Sequence, residues 1–278
     1  MNGATMNKKE LVALKLFLDE QMVKHNQLGF IEKDPISIPH RFIVKQDIEI
    51  AGLFAALFAW GNRTTIINKC NELIDLMDND PYHFIINHQE KELNCFLQFK
   101  HRTFNATDLL HLIRVLKYHY TEGFKLFGET EPSLESAFTH NMKKQDANVE
   151  NALKGFHDYF FSLEDSPART KKHISTPNNN SSCKRLNMYL RWMVRKDECG
   201  VDFGIWKNIK PSQLVCPLDV HVQRIAKSLN MINEEKSDWK TATSLTNVLK
   251  KLDPTDPVKY DIALFSLGAC GDGFLFKV

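Results

Sequence analysis

Apolar side chains return at helical spacing in nearly every long stretch of this sequence, and no stretch alternates apolar with polar as a half-buried strand does. That pattern confines the chain to an all-α architecture. Leu11 to Val23 reads as one amphipathic helix, and Ile48 to Trp60, apolar nearly all round, as a helix buried at the centre of its half. Gly61-Asn62 breaks the chain. Beyond it Ile66, Ile67, Cys70, Leu73, Ile74 and Met77 mark a further helix, ended by Asp78-Asn79-Asp80-Pro81. Asp108 to Tyr120 supplies another and Gly123 to Pro132 a loop, while Leu134 to Leu163 is helical with a polar interruption near Lys143 to Asn148. No internal repeat is visible.

Composition narrows the class. A chain of 278 residues, 43% of them hydrophobic, can bury one large core or two smaller ones sharing a cleft. No run of about eighteen apolar residues occurs, and Lys8, Lys9, Glu10 and Asp19 interrupt the N-terminal hydrophobics. Neither a membrane span nor a secretory leader is therefore expected, and the expected location is the cytoplasm. Six cysteines, Cys70, Cys95, Cys183, Cys199, Cys216 and Cys270, are too scattered for a disulfide framework or a metal knuckle, so buried free thiols are expected and no metal or cofactor is. With 36 basic and 34 acidic residues the net charge is only +2, so any nucleic-acid-binding face must be local.

The segment Ser175-Thr-Pro-Asn-Asn-Asn-Ser-Ser182 stacks residues that favour turns and caps, and it reads as a loop leading into a helix. In that helix Leu186, Tyr189, Leu190, Met193 and Val194 fit one buried face; Lys184, Met188, Arg191 and Arg195 lie on the opposite side. Lys184 falls in the first turn, where the positive end of the helix dipole disfavours an ammonium. Cys216-Pro217-Leu218-Asp219 then introduces a helix over Val220 to Leu229, with Asp219 at the N-cap. The last helix is expected to start at Asp256-Pro257 and to run to Leu267, before Gly268.

A lysine opening a helix is ordinarily a solvated charge, and an aspartate ahead of one is ordinarily a cap. The two gain meaning from their surroundings. Pro217-Leu-Asp-Val-His-Val-Gln-Arg-Ile-Ala-Lys227 resembles the Pro-Val-Asp-Val/Thr-His-Val/Met-x-Arg/His-Ile-Ala-x-Arg signature of the helix-hairpin-helix (HhH-GPD) DNA glycosylases, above all the 8-oxoguanine DNA glycosylase/AP lyases and a bacterial family within that superfamily. Asp219 matches the family's catalytic aspartate, and Lys184, in Ser-Ser-Cys-Lys-Arg-Leu-Asn-Met, holds the place of its catalytic lysine. Asp261-Ile-Ala-Leu-Phe265 looks like the helix whose polar residue and aromatic flank the flipped base, and Phe58-Ala-Trp-Gly-Asn-Arg63 is similar to the point where an asparagine meets DNA. These four segments, between about residues 48 and 268, stand in the family's order.

The resemblance implies a two-lobed helical fold with a central cleft, one lobe over about 48–165 and the other over about 166–278 with 1–47. It implies a monomer acting on double-stranded DNA that contains a damaged base. Lys184 and Asp219 are the implied catalytic residues; Asp261, Phe265 and Met188 are implied to recognise the base, and Asn62, Arg63, His221, Asn179, Ser181 and Arg191 to contact DNA. Arg195, Lys171 and Lys172 are further candidates for phosphate contacts. Two features depart from the family pattern. The Leu-Pro-Gly-Val-Gly hairpin is replaced by Thr176-Pro-Asn-Asn-Asn-Ser-Ser182, and the stretch from Lys184 to Asp219 is lengthened by about Lys196 to Lys210, as in the archaeal branch. Because no terminal cysteine quartet follows Asp219, the iron–sulfur cluster of the endonuclease III branch is not expected.

The expected activity is removal of an oxidised base, 8-oxoguanine foremost, through a lysine Schiff base, followed by strand cleavage. Two other readings stay open: a non-catalytic DNA-binding protein of the same fold, and a helical scaffold unrelated to DNA in which Asp219 only caps. Retention of both Lys184 and Asp219 in matching places favours the enzyme.

Overall fold

A computed structural model describes residues 6–269, and the chain is mostly helical. Cys270 lies outside the described residues. In order, the α-helices are α1 Lys8–His25, α2 Leu28–Ile31, α3 Lys45–Phe58, α4 Arg63–Asp75, α5 Pro81–Asn87, α6 Ala106–Thr121, α7 Leu134–Thr139, α8 Glu150–Phe160, α9 Lys184–Val194, α10 Val220–Ser228, α11 Trp239–Leu252 and α12 Asp261–Ala269. The sole sheet among the described residues is a two-stranded hairpin, β1 Lys100–His101 against β2 Phe104–Asn105, with Lys100 opposite Asn105. No helix among them is long and apolar enough to cross a membrane.

The chain divides into two compact units. One takes in Ile31–Gln145 and Glu150–Ser175; the other takes in the described residues up to Phe30, Asp146–Val149, and those from Thr176 onward. These divisions differ from the expected ones, near 48 and near 166, for two local reasons. Pro35–Ser37 and Pro39–Arg41 form 3-10 turns that bury Pro35, Ile36 and Pro39 and pack against α3. Farther along, Thr170 Oγ donates to Asp108 on α6 at 2.7 Å, and Arg169 pairs with the same carboxylate at 2.6 Å, which keeps 166–175 in the first unit.

In that first unit α3 is the centre, buried at every residue from Asp47 to Phe58. A buried acid holds it in place: Glu49, fully enclosed, accepts from Tyr120 Oη at 2.9 Å, Ser133 Oγ at 2.5 Å and the Leu134 amide at 3.0 Å, joining α3 to α6 and the start of α7. Charged acceptors satisfied in this way are among the stronger hydrogen bonds a core contains. His119 is buried beside them. Its Nε2 faces the Ser133 carbonyl at 2.9 Å and must donate, so Nδ1 accepts from Tyr159 Oη at 3.0 Å and the ring is neutral.

The second unit packs α1, α9, α10, α11 and α12, and it departs from the one-sided helix expected over α9. Every α9 residue from Leu186 to Val194 except Met188 is buried. The cause is the stretch after it, which folds back on the helix: the Phe203 amide donates to the Trp192 carbonyl at 2.8 Å, and that of Trp206 to the Met193 carbonyl at 2.9 Å. The Trp206 ring meets Tyr189 edge-on at 5.4 Å. Gly204 permits the close approach, since at its φ of +60° an added Cβ would lie 2.5 Å from the Lys196 Cβ.

The C-terminal helix also differs. Pro257–Tyr260 is a 3-10 turn, α12 starts at Asp261, and it continues through Gly268. Asp256 makes no cap bond because its carboxylate is taken by Arg195 Nε at 2.9 and 3.0 Å. Gly268 is needed for packing rather than for a stop: a Cβ there would sit 3.0 Å from that of His221, so glycine lets α12 lie close against α10. Of the five described cysteines, none in a disulfide, Cys70, Cys183 and Cys216 are buried, whereas Cys95 is exposed and Cys199 half-buried.

Candidate functional site

Two helix beginnings meet in the second unit. α9 starts at Lys184 after a turn that uses two left-handed residues, Asn180 at φ 55° and Cys183 at φ 50°. Asparagine tolerates that conformation because its short side chain can hydrogen-bond locally. The turn is closed by its own groups: the Asn180 amide donates to the Pro177 carbonyl at 2.9 Å, and that of Cys183 to Ser181 Oγ at 3.1 Å. Ser182 Oγ then donates to the Leu218 carbonyl at 3.1 Å, which ties the approach to Lys184 to the residue before Asp219.

α10 opens at Asp219, as its sequence signals require. One oxygen of the carboxylate, Oδ1, accepts the amides of His221 and Val222, both at 2.9 Å. The other, Oδ2, lies 3.0 Å from Lys184 Nζ, and both side chains are half-buried, 27% exposed for the lysine and 18% for the aspartate. Burial alone works to raise the Asp219 pKa, but the Lys184 ammonium and the two cap amides outweigh it and hold the carboxyl below its ordinary value. Asp219 is thus a standing anion aimed at an amine.

The structure distributes the remaining sequence-predicted residues unevenly. Met188 is half-buried one turn along α9 from Lys184, and Phe265 is half-buried on α12. His221 is exposed at the start of α10, next to the equally exposed Val220. Asn179 is exposed and Ser181 half-buried in the turn before α9. Asn62 and Arg63 are exposed in the other unit, where Asn62 caps α4 by accepting the Thr65 amide at 3.2 Å. Arg102, stacked on Trp60 with its guanidinium 4.6 Å from the ring, is a neighbouring cation that the sequence reading missed. Lys171 and Lys172 are exposed in that same unit.

Three expectations are corrected. Arg191, read as an exposed DNA contact, is 4% exposed and bound by two carboxylates, Asp202 Oδ1 at 3.2 Å and Asp261 Oδ2 at 2.5 Å. Arg195 is buried likewise, paired with Asp202 and Asp256. The helical wheel placed both on a free face, but the fold-back of residues 196–206 covers it. Asp261, read as a reader of the base edge, is enclosed by the same network, since Cys216 Sγ donates to its other oxygen at 3.8 Å. Burial raises the Asp261 pKa and the nearby Asp219 adds to the rise, while Arg191 opposes both.

A cavity of about 630 Å³ lies in the first unit, lined along α6 by Leu110, His111, Arg114 and Lys117, and includes none of the residues discussed above. The chemistry-bearing arrangement is the Lys184–Asp219 pair.

These features define a mostly helical protein with an amine and a carboxylate brought together at two helix N-termini. The chain belongs to the family described as Protein of unknown function (DUF2400), whose model matches residues 34–270 and so spans the pair. No curated protein and no solved structure matches it.

Proposed function

We propose that this protein is a base-excision DNA glycosylase with AP lyase activity, of the two-lobed helix-hairpin-helix type, acting on an oxidised base such as 8-oxoguanine in duplex DNA. The observation that carries the reading is the 3.0 Å contact between Lys184 Nζ and Asp219 Oδ2, made by the two residues that match the catalytic lysine and aspartate of the helix-hairpin-helix glycosylases.

In the proposed reaction the Lys184 ammonium first releases a proton to bulk water, and the free amine attacks C1′ of the flipped nucleotide. The N-glycosidic bond breaks with its electron pair going to the base, which takes up the proton shed by the newly alkylated nitrogen. Opening of the sugar ring, with a proton from water going to the ring oxygen, then gives a Schiff base on Lys184; loss of the C2′ proton to water and of the 3′ phosphate with its C–O electron pair forms the C2′–C3′ double bond. Asp219 serves this sequence chiefly as a fixed negative charge for the positive charge developing on the sugar, because the same contacts that depress its pKa make it a weak store for a proton. Met188 and Phe265, both half-buried in the same unit, remain the candidates for contact with the displaced base.

Borohydride trapping on a panel of lesion-bearing duplexes tests the reading. A covalent protein–DNA adduct on an oxidised-base duplex, absent with undamaged DNA, is the expected result. Binding to DNA without an adduct on any lesion or abasic duplex would favour the non-catalytic alternative instead.

A further inference from the structure

The segment between α9 and α10 carries a second device, and its meaning rests on the reading just given for Lys184. Two guanidiniums, of Arg191 and Arg195, are enclosed with the carboxylates of Asp197, Asp202, Asp256 and Asp261. Asp202 is fully buried and holds both arginines, and it comes from the very stretch that folds back over α9. Arg191 then reaches Asp261 on α12. Asp261 also takes a hydrogen bond from Cys216, three residues before Asp219, so it sits under the segment that presents the candidate catalytic carboxylate. It is near enough to feel the charges of both Lys184 and Asp219.

The Lys184 amine is in contact with Asp219 alone of these carboxylates, while the charge of Asp261, behind the same segment, also reaches it. An unpaired charge in so buried a place is costly, so an uncompensated Asp261 would draw the Lys184 ammonium inward. We propose that Arg191, anchored by Asp202, is a positioning residue that occupies Asp261 and thereby leaves the Lys184 amine to Asp219, the carboxylate at the helix cap. The fold-back of residues 196–206 is then the part of the chain that fixes which acid the lysine serves.

The test reads Lys184 directly, without requiring turnover. Lysines of the full chain are reductively methylated with ¹³C, which keeps their charge, and the Lys184 signal is assigned by its absence in Lys184→Arg. Arg191→Met should displace that signal, and Arg191→Met combined with Asp261→Asn should return it towards the wild-type position. Asp261→Asn alone should move it less than half as far as Arg191→Met. If Arg191→Met does not fold, Asp202→Asn takes its place, with Asp202→Asn combined with Asp261→Asn as the rescue. An unmoved signal in the arginine or anchor variant, failure of the double variant to restore it, or an equal displacement by Asp261→Asn would each overturn the proposal. A parallel trapping assay should lose tenfold or more adduct in Arg191→Met and recover to within threefold of wild type in the double variant; a loss that Asp261→Asn cannot rescue means a purely structural role and also overturns it. Absence of any wild-type adduct would count against the glycosylase reading alone, since the signal of Lys184 still decides this one.

Discussion

Replacing Asp219 with asparagine and, separately, with alanine divides the two things this carboxylate does at the head of α10. Asparagine keeps an oxygen for the His221 and Val222 amides, now 2.9 Å away, and removes the charge that faces Lys184 at 3.0 Å. The gross attraction of such a pair is about 5 kcal/mol at an effective dielectric constant of about 20. Most of it is offset by taking two charges partly out of water, which leaves a net contribution of about 2 kcal/mol for a charged hydrogen bond. Alanine loses that and the cap as well, a further cost of about 1 kcal/mol. Urea melts should therefore rank wild type above Asp219→Asn and Asp219→Ala lowest. Both variants lose the charge, so both should drop borohydride trapping at least tenfold, and by a similar factor. Full trapping by Asp219→Asn, or equal stability of the two variants, would refute the division.

Other consequences are checked by simpler measurements. Burial depresses the His119 pKa from 6.5 to about 4. The unfolded chain therefore binds a proton that the folded chain refuses, and this residue's contribution to stability is complete above about pH 6.5 and is lost towards pH 4, by about 3 kcal/mol in total. Chemical denaturation across that range should show the loss, with a shallower slope in His119→Gln; equal slopes would contradict it. Asn180 is exposed in a left-handed conformation, so Asn180→Ala should cost about 1 kcal/mol while Asn180→Gly is close to neutral, and a melt ranking alanine above glycine would be inconsistent with that turn. Affinity for duplex DNA should fall steeply with salt as phosphate contacts release counterions; equal weak binding at low and moderate salt would remove support for a DNA substrate.

The helices were largely legible because their signals are local. The Asp219 cap and the turn before Lys184 are set by residues next to one another in sequence. What the sequence hid was long-range. Arg191 and Arg195 occupy the polar side of a helical wheel, and nothing in the wheel reports that residues 196–206 will return to cover it. The informative signals were there in another form: Asp202 two residues before Gly204, and Trp206 beyond it, mark a segment with a charge to pair, a turn to make and a large ring to bury. Asp256-Pro257 carried a sound N-terminal signature, but Arg195 competed for the same carboxylate and α12 started later. Gly268 shows the opposite case, a glycine read as a stop whose missing side chain serves the contact with His221.

The proposed reaction makes Lys184 the amine that attacks the damaged nucleotide. Lys184→Gln removes that amine while leaving a side chain of similar reach at the start of α9, so the decisive measurement is borohydride trapping of this variant beside wild type on the preferred lesion, with duplex affinity and thermal stability measured on the same samples. Wild type should give a covalent adduct, and Lys184→Gln none, at near-normal affinity and fold. An adduct that persists in Lys184→Gln would make another amine the nucleophile and would contradict the assignment.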